Sequence, residues 1–331
     1  MSCPIVGNKA LLEAIFTAIR HKHIAGCYII EGAFGTGKLT IARYIASAIC
    51  CTAPNEDATP CLSCHSCKNI SIGNHVDTIE IAPEEEGKNI TVSQIREMLR
   101  SAHNSTTEGD WRIFIIRDSQ NMKKEAQNAL LKSIEEPGKN TVFFLLTTDK
   151  TKLLPTVRSR AVYLHTDPLT DKEIRPLLLK NGVLEKDLEE VILLSSGSLG
   201  KAISLSKDTA LLEMRERVLS YFSAIMNGAG FTKLCLIFPP STMTRKDLFS
   251  FLTLTKSALR DLICKRSKPD SKREFFSSDQ FVLDLSSIIS PTEAVKLFDH
   301  CEKLLASSEQ NVNLFSALSG FHLMAQNLTK N

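Results

Sequence analysis

No apolar run in this 331-residue chain is long enough to cross a bilayer, which takes about 20 consecutive apolar residues as a helix. No secretory leader is visible at the N-terminus. The expected compartment is therefore the cytoplasm, with no membrane partner. A surplus of one charge is missing too. Forty Lys and Arg face 37 Asp and Glu, a net +3, and that balance argues neither for nor against nucleic acid. No internal repeat is found. The most telling absence is one hydroxyl group. Residues 32–39 read Gly-Ala-Phe-Gly-Thr-Gly-Lys-Leu, a phosphate-binding loop without the final Ser or Thr that holds magnesium. Leu39 cannot ligate a hard cation, which takes oxygen donors, so magnesium is not expected.

What is present is ordinary in bulk: 43% hydrophobic and 23% charged residues, enough for two or three globular domains. Ten cysteines without a leader point to a reducing interior, where clustered thiols bind metal more often than they pair.

The first half alternates strand and helix. Apolar spacing predicts helices over 8–22, 38–50, 91–102 and 122–135, and strands over 27–31, 78–82, 112–117 and 141–147. Such alternation indicates a parallel sheet covered by helices, an α/β fold. From about 166 the strands give way to a small helical unit, with helix starts near Thr170 and Glu185. Long helices then follow, including 246–266, 292–306 and 311–328. The charged stretch 267–277 reads as a mobile loop.

Strand, glycine loop and helix in succession make the loop credible. Gly32, Gly35, Thr36, Gly37 and Lys38 would form the cradle: inward N–H groups, a helix N-terminus and an ammonium for the phosphates. The strand 112–117 normally ends in a metal-binding carboxylate. Here it ends Arg117-Asp118, and a cation there repels magnesium. Whether ATP or ADP still enters is left open.

Cys61, Cys64 and Cys67 form Cys-x2-Cys-x2-Cys, with Cys51 ten positions earlier. Four thiolates close a tetrahedral structural zinc site and staple the insert 51–67. Cys50 competes with Cys51 as fourth ligand, and His65 is a weaker candidate. Arg160, just beyond the strand 141–147, could reach a neighbour's nucleotide and stabilise γ-phosphate charge.

Taken together these stretches resemble the AAA+ subunits of the bacterial clamp loader, part of the DNA polymerase III holoenzyme. The resemblance is carried by the loop 32–40, cysteines 51–67, His75-Val-Asp77, Gly-Lys-Asn at 87–89 and Asn128-Ala-Leu-Leu-Lys-Ser-Ile-Glu-Glu-Pro137. Leu153-Leu-Pro-Thr-Val-Arg-Ser-Arg160, Gly197-Ser-Leu-Gly-Lys-Ala202 and Asn311-Val-Asn313 add to it. That family implies an AAA+ P-loop domain with a zinc insert (1–165), a helical lid (166–207) and a helical collar for oligomerisation (208–331). It has a γ/τ motor branch that hydrolyses ATP and a δ′ branch that does not.

Set against the motor branch, Arg117 stands for its metal-binding Asp, Gly200 for its second sensor arginine and Leu39 for its magnesium hydroxyl. Thr147 or Thr148 falls near the first sensor. Arg160 matches the arginine that the δ′ branch donates in trans, although Ala161 replaces the family's following Cys. The Cys51–Cys61 interval is one residue longer than usual. The long τ tail does not follow the collar.

The resemblance therefore implies the δ′ side: a non-hydrolysing stator in a hetero-pentamer with γ/τ and δ, acting through the complex on the sliding clamp and primer-template DNA at the replisome. It would be a component of a nucleotidyltransferase assembly and not itself an ATPase. The alternatives are a γ/τ-like motor, or a zinc module that binds DNA, which acidic Glu84–Glu86 beside the insert disfavours.

Overall fold

A computed structural model describes residues 5–85, 88–101, 106–207, 209–267, 275–276, 278–307 and 313–327. Gly87, most of the charged stretch 267–277, and Asn311 and Val312 lie outside the described residues. The chain divides into two compact units, Met1–Ile174 with Gly197–Gly200, and Arg175–Ser196 with Lys201–Asn331.

The first unit is α/β, a five-stranded parallel sheet with a glycine loop between its first strand and the following helix. In chain order it runs α1 (Lys9–Arg20), β1 (Cys27–Glu31), α2 (Lys38–Ile49), α3 (His65–Ile72), β2 (Thr78–Ile81), α4 (Val92–Ser101), β3 (Arg112–Ile116), α5 (Lys124–Glu135), β4 (Thr141–Thr147), α6 (Pro155–Arg158) and β5 (Val162–His165). The five strands lie in the order β2-β3-β4-β1-β5, every pair parallel. A parallel sheet takes helices on both faces, so its strands read as continuous apolar runs.

Alternation along β1 divides the core. Tyr28 and Ile30 join the layer with Phe16, Ile41, Ile45 and Phe144, while Cys27 and Ile29 join Ile95, Phe114, Leu130 and Phe143. On one face Tyr28 stacks on Phe144, and on the other Phe114 stacks on Phe143, with centroids 5.4 and 4.9 Å apart. Helix starts follow local chemistry. At α4 the Thr91 N–H donates to Gln94 Oε1 while the Gln94 N–H donates to Thr91 Oγ1, a reciprocal cap of two orphan donors. Sheet order and loop position leave the end of β1 between β4 and β5, where the glycine loop emerges.

The second unit is helical. Its elements are α7 (Asp171–Lys180) and α9 (Leu199–Lys207), each of which begins in the first unit, together with α8 (Glu185–Ser195), α10 (Thr209–Met226), α11 (Phe231–Ile237), α12 (Arg245–Ser267), α13 (Asp279–Ile288), α14 (Pro291–Ser307) and α15 (Leu314–Asn327). Its core is aromatic: Tyr221, Phe222, Phe238, Phe251 and Phe321 are fully buried. The Tyr221 hydroxyl bonds His322 Nδ1 at 2.8 Å, and His322 Nε2 lies 3.0 Å from the Phe238 carbonyl.

The expectation of a mobile loop over 267–277 fails at its end. Phe275 and Phe276 are buried, and both backbone N–H groups donate to Asp261 Oδ2 at 2.9 and 3.0 Å. Two adjacent aromatics in a charged stretch hold the chain to the core, because their burial outweighs the cost of ordering it.

Candidate functional site

The glycine loop is gripped from outside as well as folded from within. Gly35 and Gly37 have φ of 74° and 85°, the left-handed region that favours glycine. Gly32 passes so close to Thr166 that a Cβ there would lie 1.9 Å from Thr166 Oγ1. Thr166 Oγ1 bonds Thr36 Oγ1 at 2.9 Å and the Glu31 carbonyl at 3.2 Å. The Ser198 hydroxyl donates to the Phe34 carbonyl at 2.7 Å, and the Gly200 N–H donates to the Gly35 carbonyl at 3.0 Å. Thr166 and Ser198 escaped the sequence reading, because an isolated hydroxyl far along the chain carries no spacing signal.

Lys38 Nζ donates to the carbonyls of Gly32 and Ala33, both at 2.7 Å. Burial pushes the Lys38 pKa down from its ordinary value, and the Asp118 carboxylate opposes that shift. Leu39 is half-buried and packs against the layer that holds Ile41 and Ile45.

Beyond the buried β3, Arg117 is exposed and its N–H donates to the Ile81 carbonyl at 2.8 Å. Asp118 has φ of 49° and accepts from Gln120 Nε2 at 3.3 Å. Thr147 is buried, its hydroxyl donating to the Asp149 carbonyl at 3.0 Å, whereas exposed Thr148 donates its N–H to Gln120 Oε1 at 3.2 Å. Asp118 is thus the carboxylate whose charge reaches Lys38, beside a loop with no hydroxyl at position 39.

Cys51, Cys61, Cys64 and Cys67 bring their sulfurs within 4.8 Å of one another. The Cys61 N–H donates to Cys51 Sγ at 3.4 Å, the Cys64 N–H to Cys61 Sγ at 3.3 Å and the Cys67 N–H to Cys64 Sγ at 3.5 Å. Such N–H groups favour thiolates over thiols. Hydrogen bonds from Ser63, through its hydroxyl and then its N–H, pull the Cys61 thiol down to about 5, whereas burial pushes the Cys51 and Cys67 thiols up. Zinc–sulfur bonds of about 2.3 Å put tetrahedral thiolates about 3.8 Å apart, and Cys61 Sγ lies 4.0 Å from Cys67 Sγ.

These four residues fit a closed metal site. Cys50 stays outside the group, packed against the core with its thiol pushed up to about 12 by burial. His65 also stays outside, its Nε2 2.8 Å from Asn69 Nδ2. Nearby, fully buried Asp77 takes the N–H groups of Thr107 and Glu108 and the Arg112 guanidinium at 2.9, 2.7 and 2.9 Å. This network ties the start of β2 to β3.

Arg160 is not free. Its Nε lies 2.9 Å from Glu135 Oε1, and Nη1 donates to the Thr156 carbonyl at 3.0 Å and Ser159 Oγ at 3.2 Å.

Residues 7–170 match a family described as "DNA polymerase III, delta subunit". The chain is 29% identical over 220 residues to the delta' subunit of DNA polymerase III from Bacillus subtilis, 66% of this chain and 65% of that one. It is 31% identical over 194 residues to the delta' subunit from Pseudomonas aeruginosa, 58% of each. With the tau subunit from Escherichia coli it shares 33% identity over 171 residues, 52% of this chain and 26% of the relative. It therefore spans just under two thirds of the length of the first of these relatives.

Proposed function

We propose that this chain is a member of the DNA polymerase III clamp-loader family and, within it, a non-hydrolysing δ′-type stator. In this reading 1–165 form the AAA+ base, 166–207 the lid and 208–331 the collar. The collar joins γ/τ-type and δ-type subunits in a hetero-pentamer, and the base presents Arg160 to a neighbour's ATP. Nucleotide state in that neighbour would then govern loading of a sliding clamp onto primed DNA.

The observation that carries the reading is the state of the loop. Half-buried Leu39 packs against the core layer where a metal hydroxyl would stand, and Gly200 lies against Gly35 where a second sensor would reach in. Both losses fall on hydrolysis, which depends on metal and on charge stabilisation. The backbone cradle remains, so Gly32, Gly35, Thr36, Gly37 and Lys38 could still hold ATP or ADP. Exposed Leu236, Phe249, Leu283, Val295, Phe315 and Leu323 on the helical unit supply apolar surface of the kind an obligate interface buries.

Cys51, Cys61, Cys64 and Cys67 would hold zinc, which supplies cross-linking and no open coordination position. The chain's own contribution is the set of N–H groups that orient the thiolates.

Co-purification and ATP turnover test the reading together. The protein is expected to assemble with γ/τ-type and δ-type subunits and, alone, to turn over no magnesium-ATP. Turnover by the isolated chain that vanishes on Lys38→Ala would identify a motor instead.

A further inference from the structure

Glu135 is the last residue of α5, where a helix macrodipole disfavours a carboxylate. Its bridge to Arg160 is half exposed, with side chains 39% and 44% accessible, and such pairs add little stability. Stability does not explain the pair, but geometry does.

A guanidinium carries five N–H donors in a rigid planar fork. The Glu135 carboxylate lies 2.9 Å from Nε, and Nη1 donates to the Thr156 carbonyl and to Ser159 Oγ. The two hydrogen bonds of Nη1 and the carboxylate beside Nε together restrict the plane of the group. Among the described residues no hydrogen bond is made by Nη2, so its two donors are available to an anion from another molecule.

We propose that Glu135 is a positioning residue: its carboxylate holds Arg160 at Nε so that Nη2 meets the neighbour's γ-phosphate already aligned. The pair persists when Arg160 engages, because the carboxylate and the phosphate meet different nitrogens. A carboxylate beside the guanidinium also blocks its collapse onto other local acceptors. The proposal rests on the reading of Arg160 as donated in trans. It differs from a latch, in which Glu135 would compete with phosphate and its removal would raise turnover.

The test uses the full pentamer, reconstituted with γ/τ-type and δ-type subunits, a sliding clamp and primed DNA. The kcat and KM for ATP are measured for wild type, Glu135→Ala, Arg160→Ala and the double variant, after gel filtration establishes assembly. Misaligning a catalytic contact by about 1 Å can cost up to about 100-fold. An arginine that remains present but loosely held is expected to slow the one site it serves by about threefold to tenfold. Glu135→Ala should therefore remove most of the share of pentamer kcat that Arg160→Ala removes, at unchanged KM. Glu135→Gln, which keeps an acceptor oxygen, should retain at least half of that site's share. Glu135→Lys, which repels the guanidinium, should lose at least as much as Glu135→Ala. In the Arg160→Ala background the Glu135→Ala change should cost nothing more.

Unchanged or increased kcat in Glu135→Ala overturns the proposal, and so does an equal proportional loss in the Arg160→Ala background. Where Arg160→Ala lowers turnover and Glu135→Ala does not, only the positioning role fails. Where Arg160→Ala has no effect, the trans-arginine reading and this proposal fall together.

Discussion

The backbone N–H of Gly200 donates to the carbonyl of Gly35 across 3.0 Å, and a Cβ on Gly200 would lie 2.8 Å from the Gly35 Cα. The helix start at 199–200 therefore rests on the phosphate loop itself, backbone on backbone. Any side chain at 200 must push one segment away, since neither neighbour is a flexible side chain. Gly200→Ala is expected to destabilise the protein by about 1–3 kcal/mol, the usual cost of overpacking. Hydrogen exchange should speed up at residues 33–37 in the variant. An unchanged melting temperature with unchanged exchange would mean that the contact is easily relaxed.

Restoring one missing group should not restore an enzyme. In the stator reading Leu39→Thr supplies the missing magnesium hydroxyl, but Arg117 still stands at the strand end and Gly200 offers no second sensor. Magnesium-ATP turnover by Leu39→Thr alone is expected to stay at background. The substitution should also cost about 1 kcal/mol, because it removes methyl groups that pack, half-buried, against the core layer. A gain of turnover would show that the hydroxyl was the only defect.

The cysteine site makes a stoichiometric prediction. The purified protein should carry about one zinc per chain by elemental analysis, as expected for a closed site of four thiolates. Cys51→Ser or Cys64→Ser should lose most of it and lower the melting temperature. Cys50→Ser should keep the metal, since its thiol lies outside the group. Zinc retained in Cys51→Ser but lost in Cys50→Ser would reverse the assignment.

The helical unit has a pH signature. Burial holds the His322 pKa below its ordinary 6.5, against the opposing effect of the Phe238 carbonyl. The neutral ring is thus favoured in the folded state, and the unfolded state binds the proton more readily. Stability is full above about pH 6.5 and falls as pH drops below the unfolded pKa toward the depressed folded one. Urea midpoints between pH 7.5 and 5 should show this decline. In His322→Gln, which keeps polar atoms near Tyr221 and the Phe238 carbonyl, the slope should be shallower. An identical slope would assign the decline to other groups.

Much of the first unit was legible in the sequence, for identifiable reasons. Strands β1 and β4 carry unbroken apolar runs because both faces are buried, and their observed limits are those read from the sequence. Strand β5 was not foreseen, because Val162, Tyr163 and His165 are exposed and leave no run to see. The glycine loop was legible from its own residues, but not the hydroxyls that hold it. Thr166 and Ser198 bond residues 130 and 164 positions away in sequence, a relationship that spacing does not encode. Cys50 and Cys51 are adjacent, so spacing alone could not choose between them. The choice follows from α2, whose last turn directs Cys50 to the core. Glu135 stood within a recognised motif, yet its link to Arg160 required the meeting of α5 with the segment after α6.

The central claim is that this subunit's useful chemistry occurs in a neighbour's site, through Arg160. The most direct test is ATP turnover by the reconstituted pentamer, stimulated by clamp and primed DNA, with Arg160→Ala only in this chain. A trans arginine is worth about 10³–10⁵ at its own site. One site should therefore fall silent, total turnover should drop by the share of that site, and clamp loading should slow with it, while assembly remains intact. Turnover and loading equal to wild type, with a fully assembled pentamer, would contradict the account.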